Sequence, residues 1–308
     1  MTVGAGSNPG APTGLGVRPS RAPDPRRLTF LALALPAVAA LALLIVVPLL
    51  FMVALSFRPD LRGELLSPFV PTLKHYEQVA ETFSYWRLLG ISAGMAAIVA
   101  FVATAAAFPL AYFLAFRAGR RAGLYLILLL VPFWTSYLLR VMAWKLMLGT
   151  EGVINSGLSS LGLIDEPLDA LLYNRNAVVV TLIYVWIPFA TLPILAVLGR
   201  IDIRLHDAAA DLYSSPWQQF RRVTLPLAVP GLAAAFLMVF IPTVGEYVTP
   251  LLVGGTGGSM FGNIIQDFFV RAANWPLGAA LSVIMLATTL VLVVVGLRIV
   301  KPRRLLGI

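Results

Sequence analysis

Six long apolar runs, separated by more polar segments, divide the sequence after residue 27. A helix needs roughly 20 apolar residues to cross the hydrocarbon core of a bilayer, where each backbone amide must be satisfied within its own segment. Each of the six runs meets this length. The predicted membrane spans are 28–55, 88–116, 124–148, 178–198, 227–253 and 277–300.

The composition supports a surface that faces lipid. Hydrophobic residues make up 59% of the 308 residues and charged residues only 12%, whereas about a quarter of the residues in soluble domains are charged. A water-soluble protein of this length needs more charge to coat its surface. We therefore predict an all-α, polytopic membrane protein with six transmembrane helices in a lipid bilayer.

The two ends of the chain differ from the apolar runs. Residues 1–27 are rich in Gly, Pro, Ser and Arg without hydrophobic periodicity, which predicts a disordered tail. The next run exceeds the roughly 7 to 15 residues of a signal-peptide core, so we interpret it as an uncleaved first helix. We expect a six-helix membrane domain over 28–300 and a basic C-terminal tail over 301–308.

Basic residues cluster where a single orientation in the membrane would place them inside the cell. Of the 23 Lys and Arg residues, 15 lie in the N-terminal tail, in the loops 117–123 and 199–226, or from Arg298 onward. The positive-inside rule then predicts that both termini are cytoplasmic. The net charge of +9 does not indicate nucleic-acid binding, because the clusters are short and lie between apolar runs. The predicted outer loops, each long enough for a short surface helix, are 56–87, 149–177 and 254–276.

The predicted inner loop 199–226 is mostly polar and contains patterns for two short helices. The first, at 207–213, is rich in alanine. The second begins with a capping-box pattern, in which Ser215 is the cap, Pro216 takes the first helical position and Gln218 follows three residues after the cap. We therefore predict a turn between two helices within this loop.

Aromatic residues mark one face of the second short helix. Trp217 and Phe220 are three residues apart, so they share a side of the helix. An exposed aromatic side on a short amphipathic helix is suited to a groove on a partner protein. We predict that this helix docks onto such a partner.

The same loop resembles the coupling loop of permeases from binding-protein-dependent ABC importers, which the ATPase subunit of that family grips. The family loop starts with Glu-Ala-Ala and has a Gly four residues later, where this chain has Tyr213. Glycine at that position permits a left-handed turn that tyrosine resists. The resemblance implies that the ATPase-coupling residues are Asp207, Ala208, Ala209, Asp211, Tyr213, Ser215, Pro216, Trp217, Phe220, Leu225 and Pro226.

Other segments narrow the resemblance to permeases of spermidine and putrescine importers. They include Pro-Phe-Trp-Thr-Ser at 132–136, Gly-Glu-Tyr-Val-Thr-Pro at 245–250, and the segments 262–267 and 274–280. The resemblance implies a type I ABC importer permease with the MetI-like fold, located in the bacterial plasma membrane. It also implies import of a small solute, most readily a polyamine. The implied partners are a second permease subunit, two ATPase subunits that bind ATP and Mg²⁺, and an extracytoplasmic solute-binding protein.

A carboxylate inside a predicted span is the first candidate for the solute pathway. Glu246 lies within the predicted fifth span, where a charged group costs several kcal/mol unless something compensates it. It is either a counter-ion for a cationic solute or a carboxylate that binds a backbone amide or an Arg of a neighbouring subunit. Aromatic faces attract organic cations by about 0.5 to 2 kcal/mol, so Tyr247, Trp134 and Tyr184 are further candidates, although most aromatic residues within spans serve packing.

Two basic residues fall near the predicted outer end of the third span. Arg140 and Lys145 are close enough to that end for their charged tips to reach the interface. Trp144 follows Arg140 by four residues, so we expect its ring to contact the guanidinium. A basic group on the pathway would repel polyamines, and we therefore assign Arg140 a local stabilising role.

Motifs for bond chemistry are absent from the sequence. It contains neither a Walker-type phosphate loop with its Lys nor a His-Glu-x-x-His pair or nucleophile elbow. Because there is no cysteine, disulfides and thiolate metal sites are excluded. We predict a transport subunit without catalytic or metal-binding residues and without a cofactor of its own. The open alternatives are an importer of an opine, amino-acid-like or phosphonate solute, and a secondary transporter, which would keep coupling charges near the midplane.

Overall fold

The protein is described by a computed structural model over residues 25–59, 70–168, 171, 173–202, 204–205, 211 and 215–299, with side chains described from residue 34 to 298. Of the predicted N-terminal tail, 1–27, residues 1–24 lie outside the described residues and Pro25 begins the first helix; the predicted C-terminal tail, 301–308, lies wholly outside them. The regular structure of the described residues is helical, with 3-10 turns at Gly119–Arg121 and Val131–Trp134 and a π-helical turn at Phe220–Thr224. The α-helices are α1 (Pro25–Ser56), α2 (Lys74–Glu81), α3 (Phe83–Phe116), α4 (Ala122–Leu130), α5 (Tyr137–Leu148), α6 (Val153–Ser160), α7 (Arg175–Leu198), α8 (Pro216–Gln219), α9 (Leu225–Val244), α10 (Val248–Val253), α11 (Phe261–Val270) and α12 (Trp275–Ile299).

The predicted all-α membrane fold is confirmed. Five helical stretches in the described part are long and apolar enough to cross a membrane, and a bent pair of helices supplies a sixth if it is counted as one span. The predicted outer loops each contain a short helix, namely α2, α6 and α11. The five stretches are Ala34–Ser56, Phe83–Phe116, Arg175–Leu198, Pro216–Val244 and Trp275–Arg298.

The predicted third span, 124–148, is bent rather than straight. Helix α4 runs into the 3-10 turn at Val131–Trp134, and the helical stretches on the two sides of the bend differ in direction by 85°. Pro132 explains the break, because proline supplies no backbone N–H and its ring clashes with the preceding turn. The Thr135 hydroxyl donates a hydrogen bond of 2.6 Å to the Pro132 carbonyl. This bond satisfies a backbone acceptor that the interrupted helix leaves without a partner.

The predicted fifth span, 227–253, differs from the structure at both ends. At its start, α8, the π-helical turn and α9 form one helical stretch, Pro216–Val244. The second short helix of the predicted inner loop is therefore an extension of the span. At its end, α9 stops at Val244, and the non-helical residues 245–247 separate it from α10.

A stripe of small residues holds the central helices together. Helices α3, α7 and α9 pack against one another, and small side chains let helices approach closely within a membrane. On α9, a Cβ on Gly231 would lie 3.0 Å from the Val197 Cβ and 3.1 Å from the Ile194 Cα of α7, so the crossing of α7 and α9 depends on glycine. The stripe on α3, which recurs every three or four residues and is fully buried, consists of Ala96, Ala100, Ala103, Ala107 and Ala111.

The chain divides into two compact units between Phe51 and Met52. In the first unit, the described side chains of α1 are largely exposed, as Leu44 is at 70%. In the second unit, a smaller apolar cluster joins α2, α11, α12 and the start of α3. It is formed by Val79, Leu89, Phe261, Leu277 and Leu281.

Candidate coupling surface and solute pathway

Two aromatic residues lie together at the Pro216 end of the fifth span. The rings of Trp217 and Phe220 stack with their centroids 5.3 Å apart. Phe220 is partly buried and meets Phe108 of α3 edge-on at 5.7 Å, whereas Trp217 remains 65% exposed. We call Trp217 and Phe220 the aromatic surface. Phe220 ties it to the central helices, and Trp217 presents a large apolar face that the described residues leave uncovered.

The start of α8 follows the sequence pattern only in part. Ser215 occupies the cap position and Pro216 the first turn, as predicted, but no side-chain capping bond forms. The backbone N–H groups of Gln218 and Gln219 both donate to the Ser215 carbonyl, at 3.0 and 3.2 Å. The predicted capping box is therefore wrong, because the Gln218 N–H donates to the Ser215 carbonyl oxygen and not to the Ser215 hydroxyl oxygen.

The remaining predicted coupling residues divide between described and undescribed parts of the chain. Asp211 is exposed, Leu225 is partly buried at the start of α9, and Pro226 is exposed beside it. In the described part, the predicted coupling residues from 215 onward thus lie on a helical stretch that continues into the membrane. The residues Asp207, Ala208, Ala209 and Tyr213 lie outside the described residues.

The two broken spans meet through a pair of hydroxyl groups. Tyr137 is the first residue of α5 after the bend in the third span, and Thr249 is buried on α10 after the break in the fifth. Their hydroxyl oxygens are 2.6 Å apart, with either one as the donor. We call this meeting point of α5 and α10 the paired breaks. Sequence reasoning missed both residues, although Pro132 and Gly245 could have indicated the interruptions.

Glu246 lies at the paired breaks and binds backbone amides. Its Oε1 atom accepts hydrogen bonds from the N–H groups of Val248, at 2.9 Å, and Thr249, at 3.1 Å. These bonds satisfy orphan donors at the start of α10. The carboxylate also lies beside the Tyr137 side chain. The structure therefore gives Glu246 the backbone-binding role expected as one of two alternatives, and this role is compatible with a further one.

Residues of α11 close the break in the fifth span. The Asn263 side-chain amide donates to the Tyr247 carbonyl at 2.8 Å, and its oxygen accepts from the Met260 N–H at 2.9 Å. A Cβ on Gly262 would lie 2.7 Å from the Gly245 carbonyl oxygen and 2.8 Å from that of Glu246. Non-helical backbone at membrane depth requires protein contacts of this kind. No sequence motif indicated that Asn263 serves this purpose.

Arg140 lies beside the paired breaks in an unexpected contact. Its guanidinium carbon is 4.4 Å from the ring centre of Phe133 and 5.8 Å from that of Tyr137. The Trp144 ring instead packs against Tyr184, with centroids 5.2 Å apart and a tilt of 54°, so the predicted contact between Arg140 and Trp144 is wrong. The bend at Pro132 brings Phe133 onto the guanidinium. The Nε and Nη1 atoms of Arg140 are buried without a hydrogen-bond partner among the described residues.

The predicted aromatic pathway residues lie apart from one another. Trp134 is 82% exposed at the bend of the third span, Tyr247 is 43% exposed at the break of the fifth, and Tyr184 is 39% exposed on α7. No ring contact joins any two of these three in the described part of the chain. The structure thus brings Tyr247 to the paired breaks by its position next to Glu246, and it does not assemble the three rings into one aromatic cage.

Comparison with known proteins places these features in a family. Residues 107–304 match the model of the binding-protein-dependent transport system inner membrane component. The chain belongs to this family. The family accounts for the multi-pass inner membrane architecture, and it makes the permease a transport component of an ABC importer rather than an enzyme. ATP and its Mg²⁺ accordingly belong to a separate ATPase subunit.

The permease is similar to several characterised relatives. It is 35% identical over 212 residues to the spermidine/putrescine transport system permease protein PotB of Escherichia coli (strain K12), covering 69% of this chain and 76% of the relative. The PotB protein of Haemophilus influenzae is 31% identical over 239 residues, or 78% and 82% of the two chains. The inner membrane ABC transporter permease protein YdcU of Escherichia coli is 34% identical over 203 residues, or 62% and 64%.

Solved structures share the fold of the permease. A chain in the crystal structure of a bacterial ABC transporter involved in the import of the acidic polysaccharide alginate superposes with a TM-score of 0.69 at 15% identity. The match covers 90% of this chain and 96% of that one. At this identity the likeness concerns the fold alone.

Proposed function

We propose that the permease carries a polyamine, such as spermidine or putrescine, through the membrane as part of an ATP-driven importer. The observation that carries this proposal is the 31–35% identity to PotB proteins over 69–78% of the chain. The family match at residues 107–304 includes both broken spans and the aromatic surface.

In the proposed pathway, Glu246 attracts the cationic solute. Its Oε1 atom is engaged by two backbone amides, so the carboxylate is held in place by α10. Fixing a carboxylate before the solute arrives lowers the entropy cost of binding. Trp134, Tyr184 and Tyr247 are exposed to 82%, 39% and 43%, and we propose that their rings contact the organic cation at successive points.

For energy coupling, we propose that the loop 199–226 binds an ATPase subunit in the cytoplasm. Both termini are then cytoplasmic as well, in accordance with the positive-inside rule. The exposed Trp217 ring enters a groove on the ATPase, and closure of the ATPases pushes the Pro216–Val244 stretch as a lever. The proposed assembly contains this permease, a second permease subunit, two ATPases and a solute-binding protein.

Uptake of labelled spermidine and putrescine tests the substrate assignment. In cells that lack this permease and other polyamine importers, plasmid-borne wild type should restore uptake, and Glu246→Gln should reduce it strongly while membrane abundance stays constant. Gln retains an acceptor for the two amides, so this variant removes the charge with little change in shape. Normal polyamine uptake in the cells without the permease would refute the proposal, and undiminished transport by Glu246→Gln would remove Glu246 from the pathway.

A second candidate is an anionic or amino-acid-like solute, including opines and phosphonates. Arg140 favours it, since two of its nitrogen atoms are buried beside the paired breaks without hydrogen-bond partners in the described part of the chain. Carboxylate and phosphonate groups are the ligands that a guanidinium binds best. Competition assays distinguish the two: loss of transport in Arg140→Gln together with competition by such anions supports this candidate, whereas competition by polyamines alone supports the first.

A further inference from the structure

An apolar groove runs along the face formed by α3, α9 and α12. It has a cavity volume of about 790 Å³. Apart from the hydroxyl of Thr104, the described side chains that line it are hydrocarbon or aromatic. Representative lining residues are Phe101, Phe108, Ala233, Phe236, Val293 and Leu297.

The groove follows one stripe of α9. Its lining on that helix extends from Leu225 to Phe240 and recurs every three or four residues, with neighbouring pairs at 232–233 and 236–237, which is the pattern of one broad helical face. Over that length the helix rises about 22 Å at 1.5 Å per residue. One leaflet contributes only about half of the roughly 30 Å hydrocarbon core, so the groove spans the depth of a whole leaflet.

Basic side chains lie at one end of this groove. Leu225 is the first lining residue on α9 and Leu297 the last on α12; Arg221 precedes Leu225 by one turn, and Arg298 follows Leu297 directly. Both arginines are exposed. A long apolar groove with an exposed arginine next to its last lining residue on each of two helices suits a molecule with a flexible hydrocarbon chain and a negatively charged head.

We propose that this groove binds an anionic phospholipid of the inner leaflet, with an acyl chain against α3, α9 and α12 and its phosphate beside Arg221 and Arg298. Charge complementarity selects the lipid over an uncharged partner, because arginines near a membrane surface attract anionic lipids. Such a lipid would lie beside the helical stretch that also carries the aromatic surface.

Native mass spectrometry of the intact, co-expressed transporter tests this site. The complex is reconstituted in nanodiscs of phosphatidylcholine with one fifth phosphatidylglycerol, released from them, and scored for retained lipid. Ala233→Phe fills the groove, and Ala234→Phe is its matched control, because Ala234 is exposed on α9 outside the lining. Ala233→Phe should reduce retained phosphatidylglycerol at least five-fold, and Ala234→Phe should leave it unchanged.

A charge variant tests the head-group contact separately. Arg298→Gln should lower the preference for phosphatidylglycerol over phosphatidylcholine several-fold, whereas Arg87→Gln, an exposed arginine near the other end of α3, should not. Retention of lipid by Ala233→Phe at the wild-type level overturns the proposal. Loss of the second permease subunit from Ala233→Phe, with lipid unchanged, also overturns it and identifies the groove as a subunit interface. The readout is independent of which solute the importer carries.

Discussion

The two ends of the fifth helical stretch, Pro216–Val244, differ in how far other residues of the chain cover them. At the Val244 end, the interrupted backbone is enclosed by Glu246, Asn263 and Gly262. At the Pro216 end, a tryptophan ring is left uncovered by the described residues. The first end is complete within the chain, whereas at the second the described residues leave a large apolar ring exposed. This difference agrees with the proposed coupling, in which one end of the stretch is held by α11 and the other binds an ATPase subunit.

The largest fall in Tm is expected at Gly262, which lies in close contact with the backbone at the enclosed Val244 end. Gly262→Ala places a Cβ within 2.8 Å of two carbonyl oxygens of the backbone, and overpacking of this kind costs about 1 to 3 kcal/mol. For a chain of this size that corresponds to a fall in Tm of roughly 2 to 10 °C. Thermal unfolding of the purified permease, followed by tryptophan fluorescence, measures it.

Gly90→Ala is the matched control for that substitution. A Cβ at Gly90, which is also helical, would meet nothing within 4 Å, so its Tm should stay level or rise slightly. Equal Tm values for the two variants would show that the break in the fifth span is not held by close contact with α11.

An effect of intermediate size is expected at the uncovered end. Trp217→Ala removes a side chain that is 65% exposed, so the stability of the permease should hardly change. If Trp217 is an interface anchor, its truncation weakens ATPase binding by about 2 kcal/mol, or roughly thirty-fold. Affinity capture of the co-expressed ATPase by the tagged permease measures this loss, with Trp86→Ala as an exposed control from the start of α3. Unchanged capture would assign the aromatic surface to another contact.

The smallest fall in Tm is expected from a substitution that changes one of the two hydrogen bonds of the Asn263 side chain at the Val244 end. Asn263→Asp keeps the oxygen that accepts from the Met260 N–H and replaces the amide that donates to the Tyr247 carbonyl. At a pH low enough to protonate the introduced carboxyl, an O–H replaces the amide donor, so Tm should fall by only a few degrees, since a single buried hydrogen bond contributes about 1 kcal/mol. Asn263→Ala should lower Tm further, and so should an ionised carboxylate facing the Tyr247 carbonyl. The interpretation fails if the two variants have the same Tm or if neither differs from wild type.

The positions of the membrane spans follow from the length of each apolar run, but the breaks do not follow from proline alone. Pro109 and Pro188 lie inside the continuous helices α3 and α7, whereas Pro132 lies in a bend. What decides between the two outcomes is whether nearby groups satisfy the freed backbone, as Asn263 does for the fifth span. Such partners are distant in sequence, so hydrophobic periodicity gives no sign of them.

The candidate site could also be predicted only in part, because local contacts follow from the sequence and contacts across a bend do not. Trp217 and Phe220, three residues apart, share a face through local helical spacing, and this prediction is confirmed by the contact between their rings. The neighbours of Arg140 were not predictable in the same way, because the 85° bend brings Phe133 onto the guanidinium, and Trp144 on the same helix packs elsewhere. Geometry that depends on the angle between two segments requires the three-dimensional arrangement.

The alanine stripe of α3 also bears on motion. An alanine side chain has no rotatable heavy-atom torsion and therefore no alternative rotamers to exchange. Where α3 meets α7 and α9, small tilts and translations of the helices can therefore occur without a change of rotamer in the alanine side chains. A smooth interface of this kind allows one helix to shift against its neighbours while the contact between them is kept.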